Sequence, residues 1–249
     1  MRTIFKTDRG KVRQHNEDSG GIFLNVEGVH LAVVADGMGG HRAGDVASTM
    51  TIDLLKSSWV EASHIQTANQ AEDWLREQIT KVNEILFQHA EENSECQGMG
   101  TTIVAAICTE KFATIANIGD SRCYLYNESG FKQVTEDHSL VNELVRTGQI
   151  TKEDAENHPR KNVLLRALGT EWKVEMDIST VIFEQGDILL LCSDGLSNKI
   201  SEQEMFQIIT NEKLLEDKAD SFIDLANHYG GEDNITLVLV QFYNESAGR

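Results

Sequence analysis

Positive charge is scarce in this sequence: 22 Lys and Arg stand against 40 Asp and Glu, a formal net charge of −18 at pH 7. Duplex nucleic acid is bound through clustered Lys and Arg, so this balance excludes it as the main partner. An acidic surface instead favours solubility and, locally, cation binding. Proline is nearly absent, Pro159 being the only one, and no Ser- or Gly-rich linker, low-complexity tract or repeat interrupts the chain. Nothing marks a domain boundary, and the 249 residues read as one domain. Long apolar runs are missing as well. Leu31–Ala35 and Ile188–Cys192 are five residues each, against about 18 for a membrane-spanning helix. Met1–Gly10 has no apolar segment of signal-peptide type, so a cytoplasmic protein is the expectation. The four cysteines, Cys96, Cys108, Cys123 and Cys192, form no C-x-x-C pair. Three of them lie in or beside apolar strand-like runs, as buried free thiols of a reducing compartment would. The eight histidines show no ligand spacing, and the H-E-x-x-H, Walker A and EF-hand patterns are all absent.

What is present begins with residues 31–48. The apolar run Leu31–Ala35 has strand character and stops at Asp36, followed by Gly37, Gly39 and Gly40 and then a helical pattern over Gly44–Trp59. A carboxylate at the mouth of a buried strand is costly to desolvate unless something positive meets it. The glycines allow a sharp turn and a close approach of the backbone to an ion. Further along, Ala71, Leu75, Ile79, Val82, Leu86 and Ala90 recur every three or four residues, which predicts an amphipathic helix over Asn69–Asn93. β-rich runs then follow at Thr101–Cys108, Phe112–Ile118, Arg122–Tyr126 and Phe131–Val134. Thr3–Thr7 and Gly21–Val26 read as strands before this block; Val174–Phe183, Asp187–Cys192 and Ile235–Phe242 read as strands after it. Asp137–Gly169 is a polar excursion with two short helical patterns, a plausible cover over a site. Ser201 and Glu204 form a capping box opening a helix at Glu202–Thr210, and Gly230-Gly231 ends another over Lys213–Tyr229. The order is not βαβα, so the expected architecture is sheet on sheet with helices outside.

Acidic residues recur at strand ends in one style. Asp36 follows LAVVA, Asp120 follows ATIANIG, Asp194 follows ILLLCS, and Asp233 precedes ITLVLV by one residue. Four carboxylates brought together at a partly desolvated site would repel one another, and divalent cations relieve such repulsion. Oxygen-only ligands favour hard ions such as Mg²⁺ or Mn²⁺ over zinc.

Six stretches carry a wider resemblance: Arg13-x-x-Asn16-Glu17-Asp18, Asp36-Gly37-Met38-Gly39-Gly40, Gly98-Met99-Gly100-Thr101-Thr102, Gly119-Asp120-Ser121-Arg122, Ser193-Asp194-Gly195 and Gly231-Glu232-Asp233-Asn234. Together, and in this order, they resemble the metal-dependent serine/threonine protein phosphatases of type 2C, in their compact bacterial form. The resemblance implies an α+β fold, a four-layer α/β/β/α sandwich of two antiparallel sheets flanked by helix pairs, with Asp137–Gly169 as a flap. It implies two divalent cations, Mn²⁺ or Mg²⁺, with Asp36 bridging, the Gly37 carbonyl on one ion, and Asp194 and Asp233 on the other. Asp120 with Asp194 would hold a third, weaker ion, Glu17 and Asp18 would act through water, and Arg13 would grip the substrate phosphate.

The implied reaction is hydrolysis of phosphoserine and phosphothreonine by hydroxide bridging the two ions, without a phosphoenzyme. The implied partners are phosphoproteins and a cognate serine/threonine kinase, and a monomer is the family's default. Eukaryotic relatives carry a histidine, proposed as general acid, where this chain has Met38; His41 lies nearby. Arg160, Lys161 and Arg166 of the flap are candidates to meet acidic peptides. A non-catalytic phosphoprotein-binding relative on the same fold is the alternative, but such proteins usually lose a ligand, and Asp36, Asp194 and Asp233 are all present. A phosphatase dedicated to one regulatory phosphoprotein often adds a sensor domain, for which this chain has no room.

Overall fold

Runs such as LAVVA, IVAAIC and ILLLC lack the in–out alternation of a half-exposed strand, and such runs need cover on both faces. The computed structural model of the protein, which describes residues 1–40 and 43–243, supplies it. In chain order, β1 (Arg2–Asp8), β2 (Asp18–Leu24) and β3 (His30–Met38) precede helices α1 (Ala43–Val60) and α2 (Ala68–Glu92). Strands β4 (Gly100–Thr101), β5 (Ile103–Cys108), β6 (Phe112–Ile118), β7 (Arg122–Asn127) and β8 (Gly130–Gln133) follow. Short helices α3 (Leu140–Arg146) and α4 (Lys152–Glu156) occupy the excursion before β9 (Asp177–Ile182). Then come β10 (Ile188–Cys192), the single turn α5 (Asp194–Ser197), α6 (Glu202–Thr210), α7 (Leu215–His228) and β11 (Ile235–Gln241).

The strands form two antiparallel sheets, one ordered β1-β11-β10-β7-β8 and the other β2-β3-β5-β6-β9 with β4 added to β3. Successive side chains on a strand point to opposite faces, and that alternation builds three apolar layers. On β3, Leu31, Val33 and Ala35 pack with Leu55, Trp59, Leu75 and Ile79 of α1 and α2. Their neighbours Ala32 and Val34 face the other sheet, against Leu189, Leu191, Val238 and Val240. The alternate residues of β10, Ile188, Leu190 and Cys192, pack with Met205 of α6 and Phe222 of α7. Helix pair, sheet, sheet, helix pair: this is the four-layer α+β sandwich expected.

Helix α2 starts at a capping box between Thr67 and Gln70, which shields its first backbone N–H groups. Its exposed pairs Glu72–Arg76 and Glu77–Lys81 contribute about 0.3–0.5 kcal/mol each. Burial of Leu75, Ile79 and Leu86, at about 1.5–3 kcal/mol per side chain, is what holds it. Trp59 of α1 meets Trp74 of α2 edge to face at 4.7 Å and donates its Nε1–H to the Phe23 carbonyl at 3.0 Å. That bond ties the helix layer to β2.

Boundaries differ from expectation where glycine interrupts a strand. β2 begins at Asp18, not Gly21, because Gly20 and Gly21 lie inside it and weaken its strand signature. Glycine is required there: a Cβ on Gly20 would stand 2.7 Å from the Val33 carbonyl and 2.9 Å from the Phe5 ring. β3 runs on through Asp36 and Gly37 to Met38, where β4 pairs with it. Cys108, Cys123 and Cys192 are buried free thiols, and no described helix is long and apolar enough to cross a membrane.

Leu191 is fully buried between the sheets, whereas Val26 is 69% exposed. Urea denaturation should show Leu191→Ala losing about 2–5 kcal/mol, and Val26→Ala changing by less than about 0.5 kcal/mol. Equal losses would contradict the two-sheet core.

Candidate active site

All the acid-bearing strand ends lie at one end of the sandwich. The registers set this geometry: Asp18 is opposite Asp36 across β2 and β3, and Cys192 is opposite both Arg122 and Leu237. Asp120, Asp194 and Asp233 therefore leave neighbouring strands side by side. A cleft of about 240 Å³ opens there, lined by Asp36, Asp120, Asp194 and Asp233 together with Arg13, Glu17, Gly37 and Met38. The excursion contributes Asn162 and Leu164. A larger cavity of about 650 Å³ between α2 and residues 165–175 is lined by none of these aspartates. Asp18 does not line the cleft; it is buried behind Asp36 and accepts a hydrogen bond from Ser193 Oγ at 2.7 Å.

Hydrogen bonds to backbone and side chain hold the acidic loops in place. The Asp36 N–H donates to Thr102 Oγ1 at 3.0 Å, and its carbonyl accepts from the Thr102 N–H and the Thr101 hydroxyl at 2.9 Å each. Thr102 Oγ1 in turn meets Ser121 Oγ at 2.7 Å, linking the Asp36 strand to the Asp120 loop. Asp194 opens the turn α5, and Asn198 donates to its Oδ2 at 3.0 Å. Asn234 Nδ2 donates to the carbonyls of Arg9 and His15, and Asn234 Oδ1 accepts the Glu17 N–H at 2.7 Å. One buried amide thus fixes the loop that carries Arg13 and Glu17. Thr101, Thr102, Ser121, Ser193 and Asn234 stood in the family stretches without a task; their work is to position the acids.

Gly37 has a different reason from the expected sharp turn. Its backbone continues the strand, and a Cβ would fall 2.0 Å from the Gly44 carbonyl oxygen and 2.6 Å from that of Glu17. Glycine is needed because β3 slides between the first turn of α1 and the Glu17 backbone. Arg13 Nη2 donates to Asp233 Oδ2 at 2.8 Å, and Nη1 lies 3.9 Å from Glu17 Oε2. Arg122 is bound in a fork to both oxygens of Asp137. Of the flap cations, Arg166 is committed to Asp177 at 3.0 Å and Glu175 at 3.5 Å. His41 lies outside the described residues.

The electrostatics of the cleft are unbalanced. Burial pushes the Asp36 carboxyl well above the ordinary range, and Asp18, Asp194, Asp120 and Asp233 push it further. Asp120 rises to about 7, through burial and then repulsion from Asp194 and Asp137. Asp18 also rises to about 7, because burial outweighs its hydrogen bonds from Ser193 and Thr236. Asp194 and Glu17 move up for the same leading reason, and Arg13 only partly offsets this at Glu17. Asp18 Oδ1 is buried without a partner. Oxygen-only donors with unrelieved repulsion fit a hard divalent cation. Among the described residues no three acidic, His or Cys side chains already close into a cage. Mg²⁺-type sites do not need one, since they use one or two carboxylates and keep several waters.

The class is that of an antiparallel double sandwich with an acidic, oxygen-lined cleft at its strand ends, a donor set suited to a hard divalent cation. The family model for protein phosphatase 2C matches residues 7–231, and the chain belongs to that family. It is 55% identical to serine/threonine phosphatase stp of Listeria monocytogenes, over 97% of this chain and 96% of that one. Protein phosphatase PhpP of Streptococcus pneumoniae is 41% identical, over 99% of this chain and 100% of that one. The structure matches that of serine/threonine phosphatase Stp1 from Staphylococcus aureus with a TM-score of 0.93, at 42% identity over 97% and 95% of the two chains. It matches the catalytic domain of the serine threonine protein phosphatase PstP, in complex with two manganese ions, with a TM-score of 0.85, at 32% identity over 98% of each chain.

Two outcomes follow from the geometry. Gly37→Ala should leave little or no folded protein at the expression temperature, because both obstructing atoms are backbone; a native-like circular dichroism melt would contradict the packing. The raised carboxylates bind protons more tightly in the folded than in the unfolded chain, so their contribution to stability falls as pH rises from about 4 towards 7. In EDTA, the Tm of the wild type should therefore fall more between about pH 5 and pH 7.5 than that of Asp36→Asn, in which one such group no longer ionises. Parallel curves would refute the repulsion.

Proposed function

We propose that the chain is a protein serine/threonine phosphatase whose reaction centre is the carboxylate cleft, loaded with two divalent cations, Mn²⁺ or Mg²⁺. The observation that carries this reading is the convergence of acidic groups from both sheets on a cleft shared with Arg13. The names of its relatives in Listeria and Streptococcus support the same chemistry. Phosphoserine and phosphothreonine monoesters in proteins are the substrates, and a cognate serine/threonine kinase supplies them. The chain acts in the cytoplasm as a monomeric catalytic domain over residues 1–249, with 137–169 as its flap.

In this reading Asp36 would be shared by the two ions, the Gly37 carbonyl would serve one, and Asp194 and Asp233 would hold the other. Asp120 with Asp194 would take a third, weaker ion, while Glu17 and Asp18 would contribute through water. When bound, the ions supply Lewis acidity towards the phosphoryl oxygens and a water of lowered pKa. Arg13 stands at the rim, and its planar fork suits two phosphoryl oxygens better than a lysine would. Asp233 holds that fork in place at 2.8 Å. Met38 carries no titratable proton, so this side chain cannot protonate the leaving alkoxide.

On a phosphothreonine peptide, activity should require Mn²⁺ or Mg²⁺ and be abolished by EDTA. Asp36→Asn and Asp194→Asn should each lower kcat by about 10²–10³, the scale of losing one preorganised electrostatic group. Full activity in chelator, or in either variant, would sink the two-ion reading. Arg13→Ala should raise KM and lower kcat, with the number of Mn²⁺ ions bound in calorimetric titration unchanged. Loss of Mn²⁺ from this variant would make the arginine structural.

A further inference from the structure

His138 sits at the start of the excursion, only 8% exposed, and it touches the loop that carries Asp120 at two points. Its backbone N–H donates to the Gly119 carbonyl at 2.9 Å, and its ring Nδ1 accepts the Gly119 N–H at 3.1 Å. Both polar groups of one residue, immediately before Asp120, are thus gripped by a single side chain and its own backbone.

Gly119 needs such a grip. It lies in the left-handed region, with φ of 103°, and a Cβ there would stand 2.6 Å from Thr102 Cγ2. Glycine is therefore obligatory, and glycine has the widest conformational freedom of any residue. Without outside contacts, the direction in which Asp120 leaves this loop would be loosely held.

The Gly119 bond also assigns the tautomer of the neutral ring. An N–H donating to Nδ1 requires a lone pair on that nitrogen, so the neutral ring carries its proton on Nε2. Nε2 lies 3.2 Å from Asp177 Oδ2, which accepts that proton's hydrogen bond. It also lies 3.2 Å from Arg166 Nη1, a donor that the protonated nitrogen does not accept from and that turns to Asp177 instead. Arg166 reaches the same carboxylate at 3.0 Å. Asp177 thus orients the ring, and the ring orients Gly119. The backbone also joins in: the Leu165 N–H donates to the His138 carbonyl at 2.8 Å, linking the two ends of the excursion.

We propose that His138 is a positioning residue for Asp120, holding Gly119 through Nδ1 so that the Asp120 carboxylate is presented to the weakest of the bound cations. The proposal rests on the reading that Asp120 holds such an ion. Partners one shell behind a ligand commonly change metal affinity by about 10–100-fold when they are lost.

The test separates the two ring nitrogens. In His138→Asn the amide oxygen stands where Nδ1 does, and the link to Asp177 is lost. In His138→Gln the terminal amide stands where Nε2 does, and the acceptor for Gly119 is lost. Calorimetric titration with Mn²⁺ alone counts ions and affinities, and amide hydrogen exchange at Gly119 reads the hydrogen bond without any metal.

His138→Asn should keep Gly119 protected and all Mn²⁺ affinities within about twofold of wild type. His138→Gln should speed Gly119 exchange at least tenfold and weaken only the weakest Mn²⁺ site, by about tenfold or more. Equal losses in the two variants, or an unchanged weak site in His138→Gln, would overturn the positioning role. Asp120→Asn distinguishes the two failures. If it abolishes the weak site while His138→Gln keeps it, the positioning role alone falls; if it leaves every site intact, the reading of Asp120 falls and the proposal with it.

Discussion

Buried carboxylates that repel one another at one end of the sandwich are the constraint on which the rest of this structure depends. Asp36, Asp18, Asp120 and Asp194 are all raised above the ordinary carboxylate range, each with burial as the leading cause. Left to themselves, such groups would separate or take up protons. They stay together because they sit on, or directly at the ends of, strands that are themselves packed on both faces, with Asp18 and Asp36 paired across β2 and β3. Folding thus sets up an unfavourable arrangement that a divalent ion can relieve, and the stability of the apolar layers makes that arrangement possible.

Those layers also decide how closely the acids approach. The tightest passages are backbone against backbone. Gly37 passes the first turn of α1, and Gly195 sits against the Asn234 carbonyl, where a Cβ would come within 2.0 Å. The same economy appears in the polar residues. Asn234 uses both ends of its amide, and Ser193 donates to Asp18 while accepting the Thr236 N–H. Few side chains are spared for the cleft itself, and Arg13 is the guanidinium among its lining residues.

Much of this was legible in the chain. The strands with apolar residues on both faces, the 3.6-residue period of α2 and the capping box of α6 all follow from local rules, and so did the architecture. The acids at strand ends pointed to a shared site because no solvated surface explains four of them in that setting. Other features were hidden for physical reasons. Whether Asp18 lines the cleft or lies behind it depends on the register of β2 against β3, and Gly20-Gly21 obscured where that strand begins. The roles of Thr101, Thr102 and Asn234 depend on contacts between residues far apart in sequence, to which periodicity is blind. Arg166 looked available for acidic ligands because its partners, Glu175 and Asp177, belong to the next strand and the segment leading into it.

β1 is an edge strand whose one neighbour in its sheet is β11, so residues 2–8 pair with residues 235–241. The loop after β1 is likewise held by Asn234 and Asp233, just before β11. A chain leaving the ribosome therefore carries Asp36 and Asp120 long before the partner of its first strand has been synthesised. The cleft cannot assemble until residues 233–241 have been made, and its geometry is a late event in the synthesis of the fold.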